Sequence, residues 1–113
     1  MSDLDSDLAD VDPRIQHMLE SRSLFLRKPV PGDLSASPDM IHVIWDPVND
    51  GLGLPVGSMF KGGFRSAAPG GQECWDAHAA TGTSTTFKER VATVPGINQA
   101  LEAILRSLHP RYT

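Results

Sequence analysis

Ile97, Leu101, Ile104, Leu105 and Leu108 recur at the spacing that puts apolar side chains on one face of a helix. A helix of that kind is not stable alone in water, so the stripe demands a second layer to bury it. Pro95-Gly96 stands just before the periodic segment and His109-Pro110 just after it, both ordinary helix boundaries. Arg106 and His109 fall at the C-terminal end, where the helix dipole favours positive charge. The chain has 113 residues, enough for one domain with one modest core.

Material for the second layer is short and interrupted. Met40-Ile41-His42-Val43-Ile44-Trp45 is the longest apolar run. Its β-branched and aromatic residues predict a strand, closed by Asp46-Pro47 and a turn at Asn49-Asp50-Gly51. Asp12-Pro13 starts a helix, with Asp as N-cap and Pro in the first turn. That helix is expected from about Pro13 to about Ser23, with Ile15, Met18 and Leu19 on one face. Leu24-Phe25-Leu26 either extends it or forms a strand.

Glycine and proline total 19 residues of 113, an excess that predicts long irregular connections. Three prolines within 27–39 exclude a regular helix there. Gly51 to Gly71 holds seven glycines and reads as a loop or weak hairpin. Gln72–Ala80 has helical composition, Thr81–Thr86 is a polar link, and Phe87–Val94 reads as a short strand or a helical turn. The expected fold is α+β: one small domain over 13–113, with N-terminal and C-terminal amphipathic helices, a few short strands and long Gly/Pro-rich loops. An acidic arm, residues 1–12, precedes it.

The arm carries Asp3, Asp5, Asp7, Asp10 and Asp12 and no basic residue, while the rest of the chain is close to neutral at +1. Nucleic acid and anionic lipid both select clustered Lys and Arg, so this balance argues against either as a partner. No apolar run reaches the roughly 20 residues that span a bilayer, and the N-terminus lacks the basic and apolar regions of a signal peptide. The expected location is the cytoplasm, or a particle assembled there. The single cysteine, Cys74, excludes an intramolecular disulfide.

Two constellations invite chemistry. Cys74 and His78 stand four apart, so on a helix they would face the same way. They could serve as a thiol with a neighbouring base, with the Gly-rich loop 61–71 as an anion cradle. Zinc needs four ligands, and His17, His42 and His109 are scattered singly, so no metal or other cofactor is expected. The alternative role for Cys74 is a small packed hydrophobe. The loop 61–71 lacks the Walker A order, and Gly51-Leu52-Gly53 lacks the third glycine of a dinucleotide fingerprint. Asp46 and Asp76, each following a tryptophan, could pair as acid and base, but turn formation explains the first and solvation the second.

The second constellation is the arm. Leu4, Leu8, Val11, Ile15 and Met18 form a seam at spacings of four and three. Leu4, Leu8 and Val11, flanked by Asp3 and Asp7, suit docking into a partner's apolar groove with a basic rim. The leading expectation is a non-enzymatic protein-binding or assembly component, a subunit or accessory protein of a bacterial or phage complex, with self-association left open. The alternative is a small enzyme or ligand-binding domain built on Cys74 and His78.

Overall fold

A computed structural model describes residues 4–28, 40–61 and 74–112. Two helices, α1 (Leu4–Ala9) and α2 (Pro13–Ser21), lead into five strands: β1 (Leu24–Arg27), β2 (Met40–Trp45), β3 (Leu54–Lys61), β4 (Trp75–Ala79) and β5 (Glu89–Val94). Helix α3 (Ile97–Ser107) and a 3-10 turn, Pro110–Tyr112, complete the described chain. The fold is mixed α+β. Every strand pairs antiparallel with its sequence neighbour, in the order β1-β2-β3-β4-β5.

Helix α2 starts as its cap residues dictate: the Asp12 carboxylate accepts from the Arg14 N–H at 2.9 Å. It ends at Ser21, two residues short of the expectation, because Ser23 adopts a left-handed φ of 59° and turns the chain into β1. Leu24-Phe25-Leu26 is therefore a strand. Helix α3 lies on the sheet over β4 and β5 and buries Ile97, Ala100, Leu101, Ile104 and Leu105. Against them the sheet presents Ile41, Val43, Val56, Met59, Trp75, Ala77 and Ala79, with Leu24 near α2.

Small residues let α3 approach. A Cβ at Gly57 would stand 3.0 Å from Ile104 Cγ2 and 3.1 Å from the His78 carbonyl oxygen. Ala77 and Ala79, its neighbours across β3 and β4, are fully buried. This explains one correction and one choice between alternatives. The segment Gln72–Ala80, expected as a helix, contains strand β4, and part of the glycine-rich stretch expected as a loop or weak hairpin is strand β3. In β4 the buried apolar positions are 75, 77 and 79, a period of two. The alanines that suggested helix supply a flat floor under α3.

All the core side chains of β2 and β4 lie on the helix-covered face. Alternation then assigns His42, Ile44, Asp76 and His78 to the second face, and none of these belongs to the core cluster. Among the described residues no helix is long and apolar enough to cross a membrane.

Candidate functional site

Residues 8–12 of the N-terminal arm pack on the protein's own body. Val11 is buried in the core, and Leu8 is half-buried against it. Asn98 at the start of α3 fastens the arm from both sides. Its Oδ1 accepts from the Asp12 N–H at 2.7 Å, and its Nδ2 donates to the Asp10 carbonyl at 3.0 Å. Of the partner-docking residues suggested by the sequence, Val11 is thus occupied internally and Leu8 largely so. Asp7 lines a shallow depression with Trp75, Pro95 and Asn98. Asp3 and the side chain of Leu4 lie outside the described residues.

Cys74 and His78 are not on a helix. Cys74 precedes β4 and His78 lies within it, so four residues of extended chain, roughly 13 Å, separate them. A thiol and base so placed cannot exchange a proton directly. Cys74 is buried. Residues 62–71 of the proposed anion cradle lie outside the described residues. Among the described residues no three His, Cys, Asp or Glu side chains are placed to hold a metal ion. Asp46 and Asp76 do not form a pair: each carboxylate is engaged locally, in the β2–β3 turn and with Thr93 respectively.

Asp46 organises a surface loop held by several hydrogen bonds. It is buried at the end of β2, and its two carboxylate oxygens accept from the backbone N–H groups of Asp50 (3.2 Å) and Gly51 (2.9 Å). Its own carbonyl accepts from the Asn49 N–H, and its N–H donates to the Ser23 carbonyl at 2.8 Å. Asp50 repeats the device one step on, accepting from the Leu52 N–H at 2.9 Å. That bond is the main reason its carboxyl sits below the ordinary value of 3.8. Arg27 of β1 closes the outside, donating to the carbonyls of Gly51 (2.9 Å) and Leu52 (3.2 Å).

Gly53 lets the loop return to β3. Its φ is +63°, and a Cβ there would collide with the Ile44 side chain and lie 2.8 Å from the Trp45 carbonyl oxygen. Val48 and Leu52 nevertheless stand 74% and 71% exposed at the tip of this fastened loop, with Leu54 beside them at the start of β3. The antiparallel topology brings the β4–β5 connection to the same end of the sheet, where Phe87 is 67% exposed.

A polar row crosses the second face. Arg27, His42, Ser58, His78 and Arg90 are successive cross-strand partners, one from each strand. Phe60 stacks on His78, with ring centroids 5.4 Å apart and planes 20° from parallel. The Thr93 hydroxyl donates to the Asp76 carboxylate at 2.8 Å. Burial holds the His78 pKa below the ordinary 6.5; Asp76 opposes that shift and Arg90 adds to it. Sequence reasoning singled out His78 but not His42 or Ser58 as site residues. Alternation along 40–45 was a usable signal for His42, whereas Ser58 had none once its segment was read as loop.

Comparison with family models, with curated proteins and with solved structures finds no match to this chain.

Proposed function

We propose that the chain is a non-enzymatic protein-binding component, an accessory or assembly subunit, whose contact surface is the tip of the β2–β3 hairpin. One observation carries this reading: a loop fixed by Asp46, Asp50 and Arg27 holds Val48 and Leu52 out in water. Ordering a loop costs about 1–2 kcal/mol per residue in backbone entropy. Here the fold has already met that cost, so a partner that covers the two side chains gains their burial with little further ordering. Clustered exposed apolar side chains also mark interaction sites more often than scattered ones do. Leu54 and Phe87 at the same end of the sheet extend the apolar area available.

The acidic arm then acts by stiffening the body rather than by making first contact. The setting we attach to this role is the cytoplasm or a particle assembled there, as a component of a bacterial or phage complex, with no membrane or nucleic-acid partner. The test is a comparison of the intact protein with Val48→Asp and Leu52→Asp, each immobilised and exposed to an extract of the source cells. Both variants should keep the wild-type melting temperature. A protein retained by the wild type should be lost from both variants and kept by a Thr93→Ala control. Retention that ignores the tip substitutions would sink the proposal.

A further inference from the structure

We infer that the second face of the sheet carries a binding site for a small oxyanion, a carboxylate or phosphate group, seated over Ser58 and held by His42, His78 and Arg90. This site is separate from the hairpin tip and is built without Cys74.

The four residues come from β2, β3, β4 and β5 and are direct neighbours in register. Directly paired residues on one face have Cβ atoms about 4.5–5.5 Å apart, so the side chains rise side by side. Ser58 is the shortest of them, between two imidazoles. The next same-face residue on its own strand is Phe60, whose ring is held against His78. Ser58, the shortest side chain of the row, is only 9% exposed between its longer neighbours. The row presents a hydroxyl, two imidazoles and a guanidinium, all able to donate hydrogen bonds. That is the donor set an oxyanion takes.

Two further observations point to a ligand. His78 Nδ1 is buried with no hydrogen-bond partner, an arrangement that is destabilising and calls for an explanation. Arg90 is exposed and makes no hydrogen bond or ion pair among the described residues, yet its charge reaches His78. Arg27, at the far end of the row, is already committed to the carbonyls of Gly51 and Leu52. Asp76 lies one row away with the Thr93 hydroxyl on its carboxylate.

Among the described residues, the charged and titratable groups on this face near His78 are His42, Asp76 and Arg90. An anion seated over Ser58 beside His78, with Arg90 reaching across from the other side, offsets the repulsion from Arg90 and favours the imidazolium. Anion binding and proton uptake at His78 are therefore coupled, and affinity rises as pH falls.

The experiment is an NMR titration of the full chain at constant ionic strength near pH 6. Inorganic phosphate is added in one arm and acetate in the other, with chloride as the balancing ion. The His78 ring resonances should move saturably, and its pKa should rise by about one unit at saturation. Arg90→Gln, a change at an exposed position, should weaken the response at least about tenfold, the scale of one lost charge-assisted contact. Ser58→Ala should weaken it less. Saturation by phosphate alone assigns the site to phosphate-bearing ligands, by acetate alone to carboxylates, and by both to either class. No saturation in either arm, or a response unchanged in Arg90→Gln, overturns the inference.

Discussion

The proposed contact surface depends on Asp46, so removing its carboxylate is the most informative perturbation. Asp46→Ala deletes the acceptors for the Asp50 and Gly51 N–H groups at 3.2 and 2.9 Å. It leaves the backbone bonds from Asp46 N to Ser23 O and from Asn49 N to Asp46 O in place. A hydrogen bond to a charged group contributes about 1.5–3 kcal/mol when shielded. Asp50 and Gly51 are themselves exposed, so water takes over their N–H groups after the change. That places each loss near about 1 kcal/mol, and the pair near about 2 kcal/mol. For a chain of this size the shift in melting temperature is roughly 8 °C. Asp46→Asn keeps one carbonyl acceptor and should fall about halfway. Amide exchange at Asp50 and Gly51 should accelerate in both variants while the core amides of β3 and β4 follow global stability alone. Binding to a tip-dependent partner should weaken even though Asp46 is buried beneath the tip. An Asp46→Ala protein with wild-type melting and unchanged exchange at 50 and 51 would refute the idea that this carboxylate holds the loop.

Three other outcomes follow from the packing and the charges. Gly57→Ala should cost about 1–3 kcal/mol by overpacking under α3, and Ile104→Ala about 2–5 kcal/mol. Because the added methyl would meet Ile104 Cγ2 at 3.0 Å, urea denaturation of the double variant should show a loss about 1 kcal/mol smaller than the two single losses together; simple additivity would mean that α3 does not rest on Gly57. Burial lowers the His78 pKa from 6.5, so the unfolded chain takes up the proton first: stability is intact above about pH 6.5 and declines as pH falls through the folded value. Melting curves between pH 7.5 and 5 should show a decline that is shallower in His78→Gln, and equal slopes would contradict the assignment. Asn98→Ala severs the bonds to Asp12 N and Asp10 O and should cost about 1–2 kcal/mol, with proteolysis near residues 4–11 as the readout; an arm equally resistant to protease would show that Asn98 is not its fastening.

Much of the helical layer was legible because its information is local. The apolar spacing of 97, 101, 104 and 105 coincides with the residues that α3 buries, and Asp12-Pro13 starts α2 as residue chemistry requires. Strand β2 was legible for the same reason: its β-branched and aromatic residues favour strand wherever they pair. The site was far less legible. His78 drew notice only through its spacing from Cys74, which presumed a helix, and Ser58 lay in a stretch whose glycines suggested a loop.

What the sequence by itself determined are the elements whose pattern repeats within one turn or one strand. What only the tertiary structure decided are β3, β4 and everything that depends on their register. Gly57, Ala77 and Ala79 have little preference for strand in isolation. They become strand because α3 needs a flat floor of small residues, and that need is set by Ile104, 47 residues from Gly57 and 27 and 25 from the two alanines. Once those strands pair, one residue from each falls into a single row, and Ser58 comes between His42 and His78. Such a juxtaposition has no sequence signature, since its members lie sixteen and twenty residues apart and are brought together only by the hydrogen-bond register of the sheet.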